Sequence, residues 1–257
     1  MAPITLDELA RTKQLLVVSD FDGTLAGFST DPATVPVNQQ AAAALHQLAE
    51  LPNTTVAILS GRDLDGLRAA SGFSEKSFVL AGSHGAQTSE PYADILASPC
   101  LNDAQQQALA AVSEKLEELA QKLEGAFVEH KPFHRVLHTL KATDQKGAAA
   151  LLAEALELDI PGIHAKPGKS IVEFSAVTIT KGSWISQAQS YFDASATVFL
   201  GDDTTDEDGF AVLGAGDLSV KVGNPQVETA ARLRVADIAG VAELLTQLAG
   251  VRTQALG

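Results

Sequence analysis

Cysteine is nearly absent: Cys100 is the single one in 257 residues. No disulfide can form within these residues, and no cysteine-based zinc site can be built. Basic residues are also scarce, with 18 Lys and Arg against 32 Asp and Glu, a formal net charge of −14. So acidic a surface repels phosphate backbones and anionic headgroups, which argues against nucleic acid and membrane as partners. No apolar run approaches the ~18 residues that a membrane span needs. Met1 to Leu6 hold no basic segment leading into a long apolar stretch, so no secretory signal is expected and the expected setting is the cytoplasm. What is plentiful is apolar material, 46% of the chain. That is enough for one large domain, or for one domain interrupted by an insertion.

Short apolar runs alternate with helical patterns. Leu15-Leu16-Val17-Val18, Val56-Ala57-Ile58-Leu59 and Val198-Phe199-Leu200 are apolar on both faces and stop at polar loops, as strands buried in a parallel sheet do. Helical patterns cover Asn38 to Leu51, Asp63 to Ser71, Lys181 to Phe192 and Ile238 to Leu248. This alternation predicts an α/β fold, a Rossmann-like doubly wound parallel sheet. Ligands of such sheets sit at the carboxyl ends of the strands, which puts Asp20, Ser60 and Asp202 at one rim. The middle of the chain differs. A helix over Asn102 to Leu123, strand-like pieces at Ala126 to Glu129 and Arg135 to Leu140, a helix from Asp144 to Leu158, and strands near Ile163 and at Ile171 to Phe174 read as an inserted α+β block. The expected division is 1–102 with 178–257 as core and 103–177 as insertion. Residues 130–181 carry seven of the 18 Lys and Arg and four of the six His, a local basic bias in an acidic chain.

Four segments carry chemistry. Asp20-Phe21-Asp22-Gly23-Thr24 leaves a buried strand with two acids facing one turn, one able to attack as a nucleophile and the other to move a proton; an ordinary Asx turn uses the same residues. Ser60-Gly61-Arg62 offers a hydroxyl and backbone amides at a helix start, an anion site or a plain N-cap. Lys181 at a helix start opposes the macrodipole and calls for an anion nearby, unless it is simply solvated. Gly201-Asp202-Asp203-Thr204-Thr205-Asp206-Glu207-Asp208 holds five acids in eight residues, a concentration of like charge that a divalent cation relieves. The register fails for an EF-hand, and hard oxygen donors without His or Cys favour Mg²⁺ over softer metals. His46, His134 and His164 receive no role, and Trp184, at helical spacing with Ile185 and Ala188, is read as core.

Taken together, these segments resemble the haloacid dehalogenase-like superfamily of aspartate-nucleophile phosphatases. Leu80-Ala81-Gly82-Ser83-His84-Gly85-Ala86, Glu129-His130-Lys131, Leu137-His138, Val172-Glu173 and Val220-Lys221-Val222-Gly223 narrow the likeness to its trehalose-6-phosphate phosphatase family. The likeness extends from about Leu15 to Leu248. It implies that the insertion is a cap governing specificity. It also implies that Asp20 attacks phosphorus and that Asp22 protonates the leaving oxygen and then activates water. Asp20, the Asp22 carbonyl and Asp202 would hold Mg²⁺, with Asp203 and Asp206 behind them. Ser60 and Lys181 would bind the phosphoryl oxygens. Gly61, Arg62, His84, Glu129, Lys131, His138 and Glu173 would bind substrate. One departure stands out: the family's His-x-Arg run ends here in Leu140, so one contact is missing or comes from Arg135 or Lys141. The expected partner is a small sugar phosphate, and a monomer is expected. The rival readings are a phosphatase for sucrose phosphate or a hexose phosphate, a phosphosugar mutase, and a non-catalytic regulator.

Overall fold

The computed structural model describes residues 4–27, 35–94, 96, 99–168 and 170–257. The chain divides into two compact units, residues 1–98 with 179–257, and residues 99–178. In chain order the first unit begins with α1 (Leu6–Ala10), β1 (Leu15–Ser19), α2 (Gln39–Glu50), β2 (Thr54–Leu59), α3 (Leu64–Ser71), β3 (Val79–Gly82) and β4 (Gln87–Thr88). The second unit follows with α4 (Asp103–Ala120), β5 (Phe127–His130), β6 (His134–His138), α5 (Gln145–Leu156), β7 (His164–Gly168) and β8 (Ile171–Ser175). The chain then returns to the first unit through α6 (Lys181–Tyr191), β9 (Ala196–Gly201), α7 (Glu207–Ala211), β10 (Leu218–Val222), β11 (Leu233–Val235) and α8 (Ile238–Leu256).

The first unit's sheet runs β11-β10-β9-β1-β2-β3-β4. Its pairs are parallel apart from β3 with β4. This is the expected doubly wound α/β core. The apolar runs lack alternation because both faces are covered. Leu15 and Val17 join one core with Leu45 and Leu48 of α2 and Leu245 and Leu248 of α8. Leu16 and Val18 face the other, with Trp184 and Ile185 of α6 and Phe210 of α7. Trp184 is therefore core, its indole N–H given to the Thr88 hydroxyl at 3.0 Å. The last helix is eight residues longer than its apolar pattern suggests, because a buried arginine continues that pattern. Arg252 is fully enclosed and donates to the carbonyls of Ala10, Thr12 and Asn53 and to the Thr54 hydroxyl. It thereby clips α8 to the amino-terminal ends of β1 and β2.

The second unit is a four-stranded antiparallel sheet, β5-β6-β8-β7, with two helices on one face. Leu109, Val112, Leu116 and Leu119 form the buried stripe of α4 and pack with Leu151 of α5 and Leu137, Val172 and Phe174 of the sheet. Strand alternation sends Phe127, Glu129, His138 and Glu173 to the opposite face. Among the described residues, no helix is long and apolar enough to cross a membrane.

Candidate active site

The chain leaves β1 toward β2 on one side, while β9 leads to β10 on the other. β1 and β9 are adjacent and parallel, in register from Leu15 opposite Ala196 to Ser19 opposite Leu200. The crevice at their carboxyl ends is the switch point where such sheets bind ligands. Asp20 and Asp202 stand there, each one residue beyond its strand, with Ser60 one residue beyond β2.

Three carboxylates converge at this crevice. Asp20, Asp202 and Asp206 each place an oxygen within 4.8 Å of the others. Lys181 reaches into the group and donates to Asp20 Oδ1 at 2.7 Å and Asp206 Oδ1 at 2.6 Å. Far from being solvated, Lys181 is 2% exposed. It is the first residue of α6, after a capping box made by Thr180 and Ser183, and these two acids supply the anions that its position calls for. Burial lowers the affinity of Lys181 for its proton, but the charges of Asp20 and Asp206 outweigh it and hold the proton more tightly than usual. Burial pushes the Asp20 carboxyl well up against the pull of Lys181, with Asp206 and Asp202 adding to the rise. Burial and the neighbouring Asp206 and Asp203 push Asp202 up to about 6. Ionising all three acids beside one ammonium would leave two surplus negative charges, which a divalent cation would neutralise. The donors are hard oxygens, so the set fits Mg²⁺. Asp206, expected behind the ligands to orient them or Lys181, pairs with Lys181 and lies in the same cluster.

Two glycines let the acids come this close. A Cβ on Gly23, where φ is +79°, would lie 2.2 Å from Asp202 Oδ2, and one on Gly201 would lie 2.2 Å from the Asp206 carboxyl carbon. Side chains at either position would push a carboxylate out of the cluster.

Asp22 is engaged by an arginine of the loop after β2. Its carboxylate accepts two hydrogen bonds from Arg62, Nε to Oδ2 and Nη2 to Oδ1, both 2.7 Å. A bidentate pair fixes the orientation of both groups. Arg62, expected on substrate, is thus engaged with Asp22. Nor does Ser60 cap a helix: Asp63 is the N-cap of α3, and Ser60-Gly61-Arg62 forms the loop before it. Ser60 Oγ accepts the Arg62 N–H at 3.1 Å. His84, in the short turn Ser83–Gly85 after β3, gives its backbone N–H to the Ser60 carbonyl at 2.9 Å. Its ring lies so close to Gly61 that a Cβ there would be 2.7 Å away.

The acidic loop is wired within itself. Asp203 keeps its carboxylate local, accepting the Thr204 N–H at 2.7 Å. Its backbone N–H donates to Asp206 Oδ2 at 2.8 Å, so its support of the cluster runs through the main chain. Its carbonyl accepts from Lys221 Nζ at 2.9 Å. Lys221 also pairs with Glu207 at 3.2 Å.

In the second unit, the sheet face opposite the two helices gathers Glu129, Lys131 and His138. His138 Nε2 lies 2.9 Å from Glu129 Oε2, and Lys131 Nζ 3.7 Å from the same oxygen. Burial pushes the Glu129 carboxyl up, but the His138 hydrogen bond and the charges of Lys131 and His138 overcome it and hold the group below the ordinary value. Glu173 shares this face, since both it and Glu129 are register partners of Val136. Arg135 does not compensate for Leu140. It turns to the helix side, with Nε on Ser113 Oγ at 2.7 Å and Nη1 on the carbonyls of Lys131 and His134. Lys141 is on the useful face, its ammonium 5.0 Å from the centre of the Phe127 ring. That ring is stacked flat on His138 at 4.6 Å. The sequence reading missed Phe127; its apolar type at a polar-face strand position, two residues before Glu129, is the signal that could have found it.

A family model described as Trehalose-phosphatase matches residues 18–238. The chain belongs to the trehalose-phosphatase family. Membership makes it a phosphoric monoester hydrolase. It is 31% identical over 231 residues to a trehalose-6-phosphate phosphatase of Escherichia coli, an alignment covering 88% of this chain and 85% of that one. A trehalose-phosphate phosphatase of Mycobacterium marinum is 33% identical over 251 residues, 91% of this chain but 61% of the longer relative. The C-terminal domain of a Candida albicans trehalose-6-phosphate phosphatase superposes with a TM-score of 0.79 at 22% identity, over 97% of this chain and 98% of that one. At that identity the likeness shows the trehalose-phosphatase fold alone.

Proposed function

We propose that this chain is a Mg²⁺-dependent phosphatase that hydrolyses trehalose 6-phosphate through a phosphoryl group carried on Asp20. The carrying observation is the buried cluster of Asp20, Asp202 and Asp206 around Lys181 at the carboxyl ends of β1 and β9. Asp20, Asp202 and the Asp22 carbonyl would hold Mg²⁺, with Asp206 beside them. When bound, the metal neutralises phosphate charge that would otherwise repel a carboxylate nucleophile. Asp20 attacks phosphorus with a carboxylate oxygen as the bond from phosphorus to the sugar oxygen breaks. Asp22 delivers a proton to that leaving oxygen. It then takes a proton from the water that attacks phosphorus and frees Asp20. The pair with Arg62 occupies both carboxylate oxygens of Asp22, so Arg62 must release it for the first half of the reaction, and the incoming phosphoryl group offers the guanidinium an alternative partner. Ser60 and Lys181 steady the phosphoryl oxygens as charge develops.

The second unit is the specificity element in this reading. Glu129, Lys131, His138 and Glu173 offer charge-assisted hydrogen bonds suited to sugar hydroxyls. The basic bias of residues 130–181 draws a dianion toward an acidic protein. A cytoplasmic monomer acting on a free sugar phosphate completes the proposal. Phosphate release from trehalose 6-phosphate, sucrose 6-phosphate and glucose 6-phosphate, each with Mg²⁺ and with EDTA, tests it. We expect a clear preference for trehalose 6-phosphate and loss of activity in EDTA. Equal turnover of the three substrates would overturn the substrate, and full activity in EDTA would overturn the metal.

A further inference from the structure

The chemistry above leaves the buried ammonium of Lys221 unused. Lys221 is 3% exposed and sits on β10 directly opposite Gly201 of β9, alongside the point where the acidic loop begins. Its neighbours Val220 and Val222 face the apolar core, whereas its own stem runs to the loop. There the ammonium makes a hydrogen bond to the Asp203 carbonyl at 2.9 Å and an ion pair with Glu207 at 3.2 Å. It also lies 5.9 Å from the centre of the Phe210 ring. Glu207 in turn accepts from the Thr229 hydroxyl at 2.8 Å and the Ala230 N–H at 2.8 Å. A lysine taken out of water this completely needs compensation, and it finds it in main chain and carboxylate of the same loop.

We infer that Lys221 is a positioning residue for the metal: it fixes the peptide after Asp202 so that the Asp202 and Asp206 carboxylates converge. The residue it grips, Asp203, is held from two directions. Its N–H goes inward to Asp206 Oδ2 at 2.8 Å, and its carbonyl goes outward to Lys221. With both ends of Asp203 tied, the backbone leaving Asp202 cannot rotate without breaking a bond to a charged group. Partners placed behind the direct ligands in this way typically change metal affinity by 10–100-fold when removed. The inference rests on the Mg²⁺ reading of the cluster.

The sign of the effect separates positioning from simple charge. Removing a cation beside an acidic site makes the site more negative, so a lysine acting through its charge alone would weaken Mg²⁺ binding by its presence and strengthen it by its removal. A positioning lysine does the opposite. The experiment is a titration of metal-free protein with Mg²⁺ alone, followed by calorimetry and by the rise in Tm that bound metal produces. We expect Lys221→Met to weaken Mg²⁺ about 10-fold and to shrink the Mg²⁺-dependent rise in Tm more than it lowers the Tm in EDTA. The double variant Lys221→Met with Glu207→Gln, which restores the net charge, should stay weak, because the Asp203 carbonyl remains ungripped. Thr229→Val loosens Glu207 without touching the lysine and should weaken Mg²⁺ by a smaller factor; it decides the matter if Lys221→Met does not fold. Unchanged or tighter Mg²⁺ in Lys221→Met, wild-type affinity in the double variant, or unchanged affinity in Thr229→Val when that variant alone is available would overturn the inference. Wild-type protein that shows no Mg²⁺-dependent rise in Tm would overturn the metal reading together with it.

Discussion

The two candidate binding regions of this chain solve opposite problems. At the carboxyl ends of β1 and β9, Asp20, Lys181 and Asp206 have side chains 6%, 2% and 0% exposed and are joined by contacts of 2.6–2.7 Å. On the antiparallel sheet's face opposite its helices, Glu129 and His138 are 44% and 21% exposed, and Lys131 stands 3.7 Å from Glu129. Buried charges interact strongly and reorganise little, which suits a group that must stabilise a transition state. Half-exposed charges trade easily between water, one another and a ligand, which suits recognition of hydroxyls that must later be released. The buried region is therefore expected to govern the chemical step, and the exposed one the choice of substrate.

Breaking the buried region should give the largest effects. Asp20→Asn removes the nucleophile, and turnover should fall below a hundredth of wild type, a loss of at least about 2.7 kcal/mol in the barrier. Purified, folded variant assayed for phosphate release checks this, with a larger residual activity ruling Asp20 out as the attacking group. Lys181→Met leaves Asp20 and Asp206 buried without their cation. Loss of one partner of a buried pair costs about 3–5 kcal/mol, so the melting temperature in EDTA should drop sharply, and Mg²⁺ should recover part of the drop by supplying the missing positive charge.

Effects on the exposed region should be smaller and selective. Glu129→Ala or Lys131→Ala should reduce kcat/KM for trehalose 6-phosphate about 10-fold, the range expected for one charge-assisted hydrogen bond. The same changes should leave p-nitrophenyl phosphate nearly untouched, whereas Ser60→Ala should impair both substrates alike. Equal losses on both substrates for the Glu129 and Lys131 variants would erase the division of labour.

pH should sharpen the contrast with effects of opposite sign. In the folded metal-free protein Asp202 is pushed up to about 6 from an ordinary 3.8. The folded state then binds this proton more tightly than the unfolded chain does, so its contribution to stability declines as pH rises from about 4 to 6. Glu129 is held below its ordinary 4.5, so its contribution is present above that value and is lost as pH falls through the lower one. Melting curves in EDTA should therefore show Asp202→Asn gaining on wild type between pH 4 and 6, and Glu129→Gln trailing wild type at neutral pH but converging with it in acid. If Mg²⁺ displaces the Asp202 proton, as proposed, its affinity should weaken below pH 6.

Much of this was legible in the sequence because it depends on local pattern. Leu15 to Val18 are apolar without alternation, and the structure has cores on both faces of β1. The places of Asp20, Ser60 and Asp202 at one rim followed from where three such runs stop. Less was legible where a side chain could choose among partners. Lys181, taken alone, read more readily as a surface lysine than as a buried one, yet it is 2% exposed. Asp206 was expected to orient the ligands or Lys181 from behind, and which of the two it meets, Lys181 at 2.6 Å, only the packing shows. Arg62 reads as a substrate contact, and its Nε and Nη2 pairing with Asp22, forty residues earlier, is visible only in the structure. Arg135 was a reasonable substitute for the arginine absent at Leu140, but its strand register turns it to the helix side.

By itself, then, the sequence determined which elements form, how they alternate and which loops leave the carboxyl ends of the strands, since apolar periodicity and turn chemistry act over a few residues. The tertiary structure alone decided the pairings: Lys181 with Asp20 and Asp206, Arg62 with Asp22, and Lys221 with Asp203 and Glu207. Each of these joins elements far apart in the chain or on different strands, and a long charged side chain meets whichever opposite charge or carbonyl the packing of those elements brings within its reach. Burial then fixes the choice, because an ammonium or carboxylate without a partner cannot be kept out of water.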